Sequence, residues 1–204
     1  MTPLLGTTDG WCATVRSVRW SPLLIAPIVS SIALVVLQAM ADSTSRRITF
    51  LGDAGVAFTA ASAAFIADDG IMAGAAPTPI EARTRLVARA LVAMPVAVAG
   101  WLVVLAIYGR VLPPDAQPAI GSRAVAGIGV AAAALALATL FARSPGVPSP
   151  GAAGVAAVAG IALILQAVPV AWLRHLPSHR TIWVTAIVVA VPVIVAATRE
   201  PARS

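Results

Sequence analysis

His175 and His179 stand four residues apart, the separation at which two imidazoles on one helix face can share a metal ion. Pro177 falls between them, in the segment Leu173–Arg180, and its missing N–H and crowded ring argue against a helix there. No Cys, Asp or Glu lies close by to complete a ligand set, so the pair reads as interfacial loop histidines and no metal site is expected. Cys12 is the single cysteine, which excludes an intramolecular disulfide and leaves an incidental thiol. All 14 basic residues are arginine. A phosphate-binding loop needs a lysine after its glycine run, so the chain cannot hydrolyse ATP by that route, and no cofactor is expected.

Polar groups inside long apolar runs are the next candidates, because at membrane depth such groups mark ion paths, relays or catalysis. Asp53 is the acidic exception within those runs; it reads either as an interfacial carboxylate paired with Arg46 or Arg47, or as a substrate contact. Gln38 and Gln166 are amides of the kind that hydrogen-bond between helices. No intramembrane His–Asp, Ser–Lys or Glu–Glu constellation accompanies them, so the chain is not expected to be an enzyme.

The elements that position these residues are six apolar stretches, at about 22–41, 48–67, 90–109, 121–142, 152–173 and 181–198, each near the roughly 20 residues a helical crossing requires. Hydrophobic residues make up 59% of the 204 and charged ones 11%, and the mean hydropathy is +0.93, where a soluble domain carries about a quarter charged residues. The runs are continuous rather than alternating, which predicts helices and not membrane strands. The fold class is therefore all-α: a six-helix transmembrane bundle over 22–198, a lead-in at 1–21 and a tail at 199–204. Connections of about 6 to 20 residues leave no room for a second domain and make neighbouring helices antiparallel, with both termini on one side.

With the N-terminus inside, Arg16, Arg19, Arg83, Arg85, Arg89, Arg143, Arg199 and Arg203 face the cytoplasm, against Arg46, Arg47, Arg110, Arg123, Arg174 and Arg180 outside. Tyr108, Trp172 and Trp183 then fall at outer helix ends and Trp20 at an inner end, where aromatic rings sit at headgroup level; Trp101, mid-span, fits no belt. The net charge of +6 is spread over every loop, which reads as membrane-flanking charge and not as a nucleic-acid footprint. Ala39-Met40-Ala41 resembles a signal-peptidase site, yet the run from Pro22 to Ala41 exceeds a signal core of about 7–15 residues, so a retained first helix is expected. Val15, Val18, Trp20, Arg16 and Arg19 form either an amphipathic surface segment or part of a disordered tail.

Small residues crowd the fourth and fifth runs, at Ala124–Gly129 and Gly151–Gly160, where they permit close helix approach or a dimer interface. Pro27, Pro95, Pro169 and Pro192 lie inside runs and can kink them. The longest connection changes sign along its length. Asp68 and Asp69 open it, Ala76-Pro77-Thr78-Pro79 makes a stiff turn, and Glu81, Arg83, Arg85 and Arg89 lead into the third run.

That connection, the Pro-containing span through Trp101-Leu102 and the terminal Thr198-Arg199-Glu200-Pro201-Ala202-Arg203 resemble small actinobacterial ABC-transporter permeases of the exporter type. The similarity covers about residues 60–110 and the C-terminus. It implies a subunit whose loop between helices two and three contacts a separate cytoplasmic ABC ATPase, with Asp68, Asp69, Thr78, Pro79, Glu81, Arg83 and Arg85 as coupling residues. It also implies a second permease copy or paralogue, a multi-pass site in the bacterial cytoplasmic membrane, and export of a lipophilic molecule or peptide. A non-transporting scaffold, assembly factor or immunity protein accounts for the small-residue faces and absent intramembrane charges equally well.

Overall fold

The computed structural model describes residues 8–40, 45–68, 82–111, 120–144, 146–167 and 179–198, and every regular element among them is helical. A short helix α1 (Thr8–Ser17) precedes α2 (Trp20–Ala39) and α3 (Ser45–Ala61), which continues as a 3-10 segment (Ser62–Ala67). The helices α4 (Ala82–Val111), α5 (Ile120–Phe141), α6 (Pro150–Ala167) and α7 (His179–Thr198) follow. The helices α2 to α7 fall on the six apolar runs, and α4 starts early because the arginine segment enters it without a break. Local chemistry explains the boundaries: Ala131–Ala134 in α5 are the strongest helix formers, and Pro150 occupies the first position of α6, where its missing N–H is harmless. Pro27, Pro95 and Pro192 lie inside α2, α4 and α7 as expected, and Pro169 lies outside the described residues.

Side-chain meetings fix the direction of each helix. Leu23 of α2 and Ala93 of α4 share a cluster with Ile66, whereas Leu34 and Val104 share another with Val56, so α2 and α4 run together and α3 runs against both. Gly127 of α5 meets Trp101 while Leu135 reaches the Ala93 cluster, which sets α5 against α4. The α6 helix turns back along α5, and α7 runs with α5, its Ala196 carbonyl meeting Arg143 at the end of α5. Directions thus alternate from α2 to α7. The α3 helix and its 3-10 extension occupy the middle, between α2 and α4 on one side and α5 and α6 on the other, and α7 packs mainly on α5.

The interior is built of small residues. Ala60, Ala61 and Ala64 pack on Val130, Ala134 and Ala138, and the first turns of α6 close onto α5 where Gly154 sits against Ala134 and Ala138. Two glycines are required by bulky neighbours: a Cβ at Gly52 would enter the Tyr108 ring, and one at Gly127 would stand 2.5 Å from the Trp101 indole. Leu23, Leu34, Ile66 and Val104 lie in the core, but many other large aliphatics face outward. Leu24, Ile25, Ile28, Val29, Ile32, Val35 and Val36 of α2 are exposed, as are Leu91, Leu102 and Val103 of α4 and Val184, Val188 and Val191 of α7. Among the described residues two helices, Trp20–Ala39 and Thr84–Val111, are long and apolar enough to cross a membrane; Gly52–Ala67, Val125–Phe141, Pro150–Ile161 and Val184–Ala196 are shorter apolar stretches.

Three expectations need revision. The second run is not α-helical throughout: its last turn tightens to 3-10 at Ser62, whose hydroxyl donates to the Thr59 carbonyl at 2.7 Å and competes with the regular ladder. Tyr108 is not a surface belt residue but wholly buried, because the missing side chain at Gly52 leaves room for its ring. Gln38 is exposed on α2, so it is not a buried interhelical amide. The lead-in, expected as either an amphipathic segment or a disordered tail, contains a helix, α1, packed on α4 and tied down by buried Val18 and by the Trp20 indole N–H, which donates to the Val15 carbonyl.

Candidate functional site

Charged side chains gather where α2 begins, the 3-10 segment ends, α4 begins and α6 begins. At their centre is Asp68, 2% exposed. The 3-10 segment ends there: the Asp68 backbone turns extended, and its N–H donates to the Phe65 carbonyl at 3.1 Å. The carboxylate thereby reaches the start of α6, where Gly151 N–H donates to Oδ1 and Ser149 Oγ donates to Oδ2 at 2.6 Å. Ser149 caps its own helix as well: its Oγ accepts from the Ala152 N–H at 3.4 Å, and its carbonyl accepts the first helical bond from the Ala153 N–H at 3.1 Å. Arg19, just before α2, approaches Oδ2 at 3.4 Å with 46% of its side chain exposed. Arg89 of α4, itself buried, donates from Nη1 to the Asp68 carbonyl oxygen at 2.7 Å and from Nε to the Arg85 carbonyl at 3.4 Å.

The physics of this cluster is that of a helix terminus. The first turn of α6 presents unpaired N–H groups and the positive end of the helix dipole, and a buried carboxylate satisfies both. Arg143 does the converse at the same end of the bundle, donating from Nη2 to the Ala196 carbonyl at 2.8 Å near the C-terminus of α7. Both Asp68 carboxylate oxygens already accept hydrogen bonds, so the group acts as a tie between elements rather than as a base.

Asp68 is therefore the one expected coupling residue whose side chain is resolved as buried. Arg85 is half-buried on α4, and Arg83 lies in the first turn of α4 with its side chain outside the described residues. Asp69, Thr78, Pro79 and Glu81 lie outside the described residues, as does the Gln166 side chain. Asp53 is exposed at the opposite end of the bundle, where it accepts from the Tyr108 hydroxyl at 3.0 Å; the side chains of Arg46 and Arg47 lie outside the described residues. His179 opens α7 and His175 lies outside the described residues. Among the described residues no group of three or more His, Cys, Asp or Glu could hold a metal ion.

Sequence reasoning missed Ser149, read Gly151 only as part of a small-residue stretch and Tyr108 as a belt aromatic, and took Arg19 as membrane-flanking charge and Arg89 as a lead into the third run. Ser149-Pro150-Gly151 does carry the signature of a helix start, a hydroxyl followed by proline. It also missed a polar seam midway along the bundle. Thr59 Oγ1 donates to Ser30 Oγ at 3.1 Å, and Ser30 Oγ donates to the Gly55 carbonyl at 3.2 Å, joining α2 to α3. Comparison of the chain with protein-family models, with curated proteins and with solved structures finds no match.

Proposed function

We propose that α2 to α7 each cross the cytoplasmic membrane of a bacterium, with both termini inside, and that the chain is the permease subunit of an ATP-driven exporter. The observation that carries the membrane reading is the apolar exterior of the bundle together with its bonded interior polar groups. Ser30, Thr59, Ser62, Asp68, Arg89 and Thr139 are buried, while rows of Leu, Ile and Val cover the outside of α2, α4 and α7. Water would penalise so continuous an apolar exterior; hydrocarbon favours it and penalises instead any unpaired polar group, which is why such groups are turned inward and bonded. Leu23, Ala26, Pro27, Ser30 and Leu34 bury α2 in the bundle, which supports a retained first helix over a cleaved signal.

The permease reading rests on the connection between Asp68 and Ala82 and on its likeness to exporter permeases. A push delivered there by a cytoplasmic ABC ATPase would reach α4 directly and α6 through Asp68. Asp69, Thr78, Pro79, Glu81, Arg83 and Arg85 are the proposed contacts with the ATPase, and Asp68 is an internal tie behind them. A second copy or a paralogue completes the path for a lipophilic molecule or peptide. The test is co-purification in mild detergent with the ATPase encoded nearest to it. Co-elution with stimulated ATP hydrolysis, lost when Arg83 and Arg85 are changed to Glu, is expected; absence of any complex under every nucleotide condition overturns the permease.

One observation favours the scaffold, assembly or immunity alternative. Each buried polar side chain just named bonds within its own bundle, as Thr139 Oγ1 does to the Ala136 carbonyl, and none is turned toward a passage. The same co-purification separates the two readings.

A further inference from the structure

We propose, resting on the membrane-spanning reading, that α1 lies in the headgroup layer of the inner leaflet and that Arg16 and Arg19 together grip the phosphate of an anionic phospholipid. The chain breaks direction between α1 and α2: Arg19 is extended (φ −79°, ψ 90°), and the indole N–H of Trp20, the first residue of α2, closes the corner by donating to the Val15 carbonyl at 2.8 Å. The α1 helix is thereby no continuation of the first span. Buried Val18 packs with Leu86 near the start of α4, which holds α1 against the charged end of the bundle. Thr14, Ser17 and Val18 form the sheltered side, with Ser17 Oγ donating to the Thr14 carbonyl at 2.8 Å. Cys12, Val15 and Arg16 share the exposed side at the i, i+3, i+4 spacing, and Arg19 follows three residues on. An apolar side chain flanked by two guanidiniums suits the layer where acyl chains give way to phosphate. The charge at this end is unbalanced as well. Among the described side chains Arg16, Arg19, Arg85, Arg89 and Arg143 stand there against the carboxylate of Asp68. That carboxylate is committed to α6, accepting from the Ser149 hydroxyl at 2.6 Å and from the Gly151 N–H, so Arg19, at 3.4 Å and 46% exposed, keeps most of its guanidinium for another acceptor. A phosphodiester is the acceptor at that depth of a bilayer, and its oxygens match the guanidinium fork. A lipid of net negative charge is favoured over a zwitterionic one, whose choline cation would add to the positive excess.

The test uses the full-length protein in lipid nanodiscs, with a fluorophore on Cys12, the native thiol exposed on α1. Quenching is compared between phosphatidylglycerol and phosphatidylcholine that carry the same brominated acyl chains, which gives the preference of α1 for the anionic headgroup. Phosphatidylglycerol is expected to be preferred by about tenfold or more, and Arg16→Gln and Arg19→Gln each to cut the preference about fivefold, the order for one basic side chain at an anionic surface. Arg143→Gln, at the same end of the bundle but beyond α5, is expected to leave the preference unchanged. Quenching by phosphatidylcholine reads the place of α1 whatever the lipid charge and is expected to stay constant. Where it falls too, α1 itself has moved, and Arg16→Lys and Arg19→Lys, which hold the charge, decide: they are expected to keep the preference, and its loss overturns the site. Equal quenching by the two lipids, in a chain that resists extraction by alkaline carbonate, overturns the headgroup site and leaves the spanning bundle standing. An equal fall for Arg16→Gln, Arg19→Gln and Arg143→Gln also overturns it, since net charge alone would then set the preference. Release of the chain by carbonate overturns both.

Discussion

Asp68 and Arg19 form an ion pair, yet the two partners are not worth the same. Arg19 is nearly half exposed at 3.4 Å, so water already screens it, and Arg19→Ala should cost under about 1 kcal/mol. Removing the buried partner strands the buried Gly151 N–H, which costs about 1–3 kcal/mol, and takes an acceptor from the half-buried Ser149 hydroxyl. Asp68→Ala should therefore lower the thermal midpoint of the detergent-solubilised protein far more than Arg19→Ala does; equal effects would mean that the charge pair, and not the cap on α6, is what matters. The sequence displayed Asp68 as a charge beside a helix end and Ser149-Pro150 as a helix start. Their meeting across 81 positions has no local signature, because it depends on how α3 and α6 lie side by side.

Helices were the most legible level. Continuous apolar runs locate α2 to α7 because a helix closes its backbone hydrogen bonds within itself, and that requirement is written in length and composition. The change to 3-10 at Ser62 and the burial of Tyr108 were not legible, since both are set by what packs alongside: a hydroxyl bonding back to Thr59 and a glycine on a neighbouring helix. The pairing of helices can be tested at two contacts. Gly127→Leu drives a side chain into the Trp101 indole and should destabilise the bundle by about 1–3 kcal/mol, the usual cost of overpacking, whereas the same change at Gly160, which has open space around it, should do little. A neutral Gly127→Leu would refute the α4–α5 contact. Thr59→Val keeps the volume but deletes the bonds to Ser30 and to the Gly55 carbonyl, and should cost only about 0.6 kcal/mol for the contact between helices, the mean for hydrogen bonds between membrane helices. A larger loss, read from unfolding by denaturing detergent, would make the Ser30–Thr59 seam more than a packing detail.

At the scale of the whole molecule, alternating helix directions and an apolar exterior point to one arrangement. Arg19, Asp68, Arg89, Arg143 and Ser149 share one end of the bundle, and Asp53 and Tyr108 lie toward the other. Counting arginines by loop gives eight against six and barely separates the faces, so orientation is the least determined part of the sequence. Impermeant thiol labelling decides it together with the crossing itself. Native Cys12, exposed on α1, and a Ser144→Cys reporter after α5 should react in inverted vesicles and be protected in intact spheroplasts; an Arg110→Cys reporter at the far end of α4, with Cys12→Ser, should show the opposite pattern. Labelling of both ends from the same side, or release of the chain from membranes by alkaline carbonate, would contradict the membrane-spanning bundle.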